Sequence, residues 1–244
     1  MAVKNSLAPA PAQNTTITTY RSNGEDVNLS PGIIRKYLVA GGGAVTDSEV
    51  MMFLSLCRFQ HLNPFLREAY LIKYGDKSPA TMVVGKDVFV KRAMKNPDFK
   101  GFEAGIIVLN EEGVIEERPG TFYLKDREEL VGGWARVFMK NLDFPFYESV
   151  TLEEYEGRTK EGKPNSQWAT KGATMIRKVA LMHVLREAFP DDTAGMYIQE
   201  EIPEAQAIVL PEAPIEIPEA AVQQQEAPAQ EPAELSAASA LFGE

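Results

Sequence analysis

SQWATKGATMIRKVALMHVLREAF, residues 166–189, is the stretch on which the reading of this chain turns. It holds no proline, and its apolar residues recur at helical spacing, which predicts one long helix from about Trp168 to Phe189 with Ser166 or Asn165 as cap. Ile176, Val179, Ala180, Val184 and Ala188 fall on a broad apolar arc. Lys171, Lys178 and Arg186 fall elsewhere, within an arc of roughly 80° at 100° per residue. One face is therefore made for a core and one stripe for anions. Arg177 points nearly opposite the stripe, so it is either buried with a partner or serves another surface.

Upstream of this helix the pattern is that of strands. Runs at Phe102–Leu109, Val114–Glu117, Thr121–Leu124, Trp134–Met139 and Phe146–Leu152 are separated by Glu112-Gly113, Pro119-Gly120 and Gly132-Gly133. They predict one mainly antiparallel sheet. Further upstream, Lys86 to Asn96 reads as a helix closed by Pro97, with Phe89, Val90, Ala93 and Met94 on one arc and Lys91, Arg92 and Lys95 on the other. A hairpin, Ala69–Ile72 and Thr81–Val84, precedes it. Before that, Thr46-Asp47-Ser48-Glu49 is a capping box opening a helix with Val50, Phe53, Leu54, Cys57 and Leu62 at helical spacing, stopped at Asn63-Pro64. Gly41-Gly42-Gly43 ends a short helix that Ser30-Pro31 opens, and Ser22-Asn23-Gly24 reads as a turn between two short strands. The fold class expected is α+β: a mainly antiparallel central sheet with flanking helices and a long C-terminal core helix.

The chain has 244 residues and a formal net charge of −10. The charge is not evenly spread. Residues 187–244 carry thirteen acids and no Lys or Arg, which leaves 22 acids against 25 bases in residues 1–186, a body of +3 beside a tail of −13. Recurrent Pro among Glu, Ala and Gln after residue 190 cannot bury a core and reads as an extended acidic tether. The expected organisation is a disordered N-terminus over 1–14, a core domain over 15–198 and a disordered acidic tail over 199–244. The single cysteine, Cys57, excludes a disulfide framework or a Cys-based zinc site and suits a reducing compartment. No apolar run approaches a membrane span and MAVKNSLAPAPAQNTT has no continuous apolar core, so the expectation is a cytoplasmic protein without membrane contact.

The cations and rings of the body suit nucleic acid. Lys86, Lys91, Arg92, Lys95, Arg136 and Lys140 add to Lys171, Lys178 and Arg186, with Phe65, Tyr70, Phe89, Trp134 and Trp168 interleaved. Backbone-tracking charge plus stackable rings is what sequence-tolerant single-strand binding needs. No G-x-x-x-x-G-K-[ST] cradle occurs, so no ATP or other cofactor is expected. His61 and His183 lie far apart and belong to no ligand cluster. Asp98 with Glu161-Gly162-Lys163 mimics the Asp…Glu-x-Lys pattern of metal-dependent nucleases, but that pattern needs a strand and here falls in a Gly-containing loop.

Leu62-Asn63-Pro64-Phe65-x-x-Glu68-Ala69-Tyr70, followed by Val83-Val84-Gly85-Lys86-Asp87, resembles the N-terminal part of phage Bet (Redβ-type) recombinases. Trp168, then Met175-Ile176-Arg177-Lys178-x-Ala180 and Leu185-Arg186-Glu187-Ala188-Phe189, resembles that family's Trp-led core helix. The similarity runs from about residue 46 to 198. It implies an ATP-independent single-strand annealing protein, more distantly related to the RecT group, that assembles into rings or helical filaments. These would hold single-stranded DNA and an annealed duplex intermediate in a basic groove without any covalent step. It places Arg177, Lys178 and Arg186 first among phosphate contacts, with Lys86, Lys91 and Arg92 next, and Trp168 either at the groove or in the core. Asn63, Pro64 and Tyr70 are expected to shape a local turn or a subunit interface. The tail departs from the family, whose members carry a folded helical module there. In this chain Leu235, Ala238, Leu241 and Phe242 form either a docking peptide for a phage exonuclease or host single-strand-binding protein, or a plain terminus. A second reading has the tail occupying the basic groove until DNA displaces it. Passive single-strand binding without annealing remains the alternative from a different class.

Overall fold

In the computed structural model, which describes residues 17–76, 78–159 and 161–202, the chain opens with a hairpin of β1 (Thr18–Ser22) and β2 (Glu25–Leu29). Its two-residue turn needs positive φ twice, and Asn23 (50°) and Gly24 (89°) supply it. The Ser30 hydroxyl caps α1 (Pro31–Ile33), which passes through a π-helical turn, Ile34–Leu38, into β3 (Val39–Gly41). The capping box of Thr46 and Glu49 starts α2 (Asp47–Phe59) as expected, and Val50, Phe53, Leu54 and Cys57 are buried on its inner face. β4 (Ala69–Lys73) and β5 (Thr81–Val84) form the expected hairpin and lead into α3 (Lys86–Lys95).

The second half builds the main sheet. Strands β6 (Phe99–Leu109), β7 (Ile115–Pro119), β8 (Glu129–Met139) and β9 (Phe146–Thr151) pair antiparallel in the order β7-β6-β8-β9. A short α4 (Leu152–Tyr155) and a loop then lead to α5 (Ser166–Ala188), capped by Asn165 through its side-chain oxygen, and α6 (Pro190–Thr193) follows. The fold is α+β with antiparallel sheets and one long helix, as the sequence indicates.

Four details differ from the sequence expectation, the first being that Gly132 and Gly133 lie within β8 rather than between strands. β3 pairs parallel to β4, a contact hidden because Gly41–Gly43 reads as a helix terminator. Those glycines instead bring the backbone against β4: the Gly42 and Gly43 amides donate to the Lys73 carbonyl at 3.1 and 3.0 Å, and a Cβ on Gly41 would collide with it. Thr121–Leu124 is irregular rather than a strand, lying beside the first turns of α5. On α3 the buried arc is centred on Phe89 and Ala93 and extends to Val88, which leaves Met94 71% exposed.

The core is organised around α5, where Ile176, Val179, Ala180, Met182, Val184 and Leu185 are all fully buried. Buried nearly all round, this segment lies between the sheet and the N-terminal half, with α3 as well as β8 and β9 packed on it. Gly133 makes the approach to β8 feasible, because a Cβ there would sit 2.7 Å from the Ile176 carbonyl. Among the described residues no helix is long and apolar enough to cross a membrane.

A buried ion pair ties α2 to β4. Lys73 Nζ lies 2.9 Å from both carboxylate oxygens of Glu49, which also accept from the Thr46 amide at 2.7 Å and the Ala80 amide at 2.8 Å. Burial pushes the Glu49 carboxyl up, but the Lys73 bond and the two amides outweigh it and hold the group below the ordinary glutamate value. Glu49→Gln leaves a buried ammonium without its counter-charge and is expected to cost about 3 to 5 kcal/mol in urea unfolding. The depressed folded-state pKa means that the wild-type pair contributes fully above the ordinary carboxylate pKa and is lost as pH falls through its folded value. The E49Q deficit should therefore shrink on acidification and not at alkaline pH.

Candidate nucleic-acid interface

An open groove of about 1130 Å³ runs along α5, walled opposite by the turn after α1, by β3, by the Pro64–Tyr70 segment and by the start of α3. The α5 face turned to it is Thr170, Lys171, Thr174, Arg177, Lys178 and Leu181, spacings that put all six on one side of a helix. The helix departs from ideal geometry at Lys171 (φ −132°, ψ 28°), so an unbroken 100° projection from Lys171 onward does not describe it. The stripe turned to the groove is centred on Thr174 and Leu181, so Arg177 and Lys178 flank it; Arg177 is half-buried, its Nε donating to the Ala104 carbonyl at 3.1 Å.

Across the groove stand Lys86 and Arg67. Lys86 opens α3, whose N-cap is Gly85 with no side-chain oxygen to occupy the first amides, so the positive end of the helix dipole adds to the lysine. Arg67 follows the 3-10 turn Pro64–Leu66 in a left-handed conformation (φ 59°). Five cations, Arg67, Lys86, Lys171, Arg177 and Lys178, share the groove with two carboxylates, Asp87 and Glu200. Two tyrosines complete it. Tyr37 is 67% exposed at the rim, while Tyr70 is half-buried, its phenol raised first by burial, then by the Glu200 carboxylate and Tyr74.

The remaining candidates lie elsewhere. Arg186 is bound by Glu201 through two bonds of 2.8 and 2.6 Å and stacks on Tyr197 at 5.0 Å. Lys91 and Arg92 face a different hollow: Lys91 reaches Glu68 at 3.3 Å, and Arg92 clamps Gln60, donating to its side chain at 2.6 Å, and the Asp192 carbonyl. Arg136 lies on the sheet face opposite α5, because alternation along β8 puts Gly133, Ala135 and Val137 toward the helix. There it stacks between Trp134 (4.6 Å) and Tyr147 (5.1 Å) and pairs with Glu117 at 2.6 Å. Lys140 donates to the Pro97 carbonyl at 2.5 Å, at the end of the same strand. Trp168 is 5% exposed and packed in the core.

The Asn63-Pro64-Phe65-x-x-Glu68 motif forms a clasp. The Asn63 side chain caps Phe65, and the Glu68 carboxylate accepts from the Asn63 amide (2.8 Å), from Asn23 and from Lys91. Its effect is to set Arg67 and Tyr70 at the groove. Among the described residues no group of three or more His, Cys, Asp or Glu could hold a metal, and Glu161-Gly162-Lys163 is in a turn. Arg67 and Tyr37 escaped the sequence reading; the two unspecified positions of the motif were the signal for Arg67, and Tyr37 had none.

Trp168→Ala removes a core ring and is expected to cost about 3 to 5 kcal/mol of stability, whereas the exposed Lys171→Gln should stay within about 0.5 kcal/mol, both read by denaturant unfolding.

Over 169 residues the chain is 27% identical to the "Uncharacterized protein UU154" of Ureaplasma parvum serovar 3, covering 68% of this chain and 66% of that protein. The chain therefore spans slightly less than two thirds of that relative's length. Residues 14–212, which include every strand among the described residues, α1 to α6 and the whole groove, match the RecT family. With most of its length so matched, the chain belongs to the RecT family.

Proposed function

We propose that this protein is an ATP-independent single-strand annealing protein of homologous recombination. The observation that carries this reading is the groove itself: Lys86, Lys171, Arg177 and Lys178, drawn from two separate helices, meet Arg67 on one open concave surface in a RecT-family chain. The cations track phosphates, and Tyr37 and Tyr70 offer rings to bases without selecting among them. A protein that grips the backbone leaves the Watson–Crick edges to a complementary strand, so pairing and stacking of the bases drive the reaction and no covalent step is needed.

On this reading the working unit is a homo-oligomer, a ring or helical filament in which neighbouring grooves join into one track for single-stranded DNA and the annealed duplex. The core over residues 15–198 carries the DNA, and the acidic tail is a tether toward an exonuclease or a host single-strand-binding protein in the cytoplasm. The docking peptide expected at Leu235–Glu244 lies outside the described residues.

Two complementary labelled oligonucleotides mixed with the protein without ATP should form duplex faster than they do alone, with a noncomplementary pair unchanged. Binding without faster pairing would make the protein a single-strand coat, and magnesium-dependent shortening of the strands would move the assignment to Asp98, Glu161 and Lys163. Each groove cation replaced by glutamine, Lys171→Gln for example, should weaken oligo(dT) binding and reduce the slope of log affinity against log salt by about 0.7. Arg136→Gln, on the far face of the sheet, should change neither.

A further inference from the structure

The turn Gln199–Glu201 sits on the tail side of the core boundary drawn from sequence, and it lays two carboxylates on the cations of α5. Glu200 Oε1 is 2.5 Å from Lys178 Nζ, inside the groove. Glu201 forks onto Arg186, Nη1 to Oε2 at 2.8 Å and Nη2 to Oε1 at 2.6 Å, with His183 Nε2 at 3.3 Å. A phosphate engages an arginine in the same two-bond manner. We infer that Glu200 and Glu201 hold the places of two nucleic-acid phosphates, so that Gln199–Glu201 is a displaceable occupant of a phosphate subsite on Lys178 and Arg186. This inference rests on the nucleic-acid reading of the groove.

The two kinds of ion pair in this molecule separate a structural bond from a provisional one. Glu49 has both oxygens bonded, to Lys73 and two backbone amides. Glu201 likewise has both oxygens bonded, to Arg186 and, at Oε2, to the Ile198 amide at 2.9 Å, so Glu200 is the looser of the two: its side chain is 7% exposed, yet its second oxygen has no partner. Such an oxygen forfeits the hydration it would regain on leaving, which favours exchange of the carboxylate for an incoming anion. The chain offers a place to bend. Met196 and Ile198 are buried and the Tyr197 carbonyl accepts from the Val84 amide at 2.9 Å, so the chain is anchored up to Ile198. Beyond it the turn is held by its own short bonds, by the two glutamates and by Gln199 Nε2 donating to the Tyr74 hydroxyl at 2.9 Å. Being tethered, this occupant competes at high local concentration, so a single free anion displaces it poorly, whereas a strand presenting consecutive phosphates replaces both carboxylates together.

The test is anisotropy of labelled oligo(dT) at low salt with the full chain, alongside thermal unfolding of each variant. Glu200→Gln with Glu201→Gln is expected to bind about tenfold tighter than wild type, and the gain should vanish when Lys178 and Arg186 are also glutamine. If the double variant unfolds early, E200Q alone is read by the same criterion, with about threefold expected for the one charge. Binding by wild type with equal or weaker binding by the folded glutamine variants overturns the inference, making the two glutamates structural. Absence of binding by every protein overturns the proposed function and this inference with it.

Discussion

The missing side chain at Gly133 lets the α5 backbone come so close to β8 that a Cβ would meet the Ile176 carbonyl at 2.7 Å, and the rest of the arrangement depends on that approach. With one side of the helix seated on the sheet and another against α3, the segment from Met175 to Leu185 is buried nearly all round. The face with Thr170, Lys171, Thr174, Arg177 and Lys178 borders the open groove. A helix so confined cannot rotate to hide its charges. Its cations are held at fixed heights along a wall, and the clasp of Asn63 and Glu68 sets Arg67 opposite them.

Electrostatics divides the same way. The pair of Glu49 and Lys73 is fully bonded and sealed between elements, so it resists any change that leaves one partner alone. Arg136 is likewise engaged, by Glu117 and two rings. The groove cations are different: they outnumber the carboxylates around them, and the acid nearest to Lys178 comes from a short turn at the edge of the core rather than from a strand or long helix. A surplus of positive charge in a concave seam raises the local concentration of anions and steers a polyanion along it.

Much of this was legible in the residues. The capping box at Thr46, the Asn23-Gly24 turn, the β4–β5 hairpin and the long helix are local signals, and each folds locally as its chemistry dictates. The cations of the site were also visible, but their grouping was not. Arg177 depended on which stripe of α5 meets the groove, and Arg136 on which face of β8 meets α5, and both are decided by packing across the chain. Gly41–Gly43 misled for the same reason, since their purpose is a close approach to Lys73 some thirty residues away in sequence. Glu200 and Glu201 looked like the start of an acidic tail because no local signal marks a turn that docks on a distant helix.

Photocrosslinking places the nucleic acid most directly. With oligonucleotides carrying 4-thiothymidine and adducts mapped by peptide mass spectrometry, the account predicts crosslinks in the peptides that hold Tyr37, Tyr70 and the Thr170–Lys178 face of α5. Crosslinks confined to the Trp134 and Tyr147 side of the sheet, with the groove peptides unmodified, would contradict it.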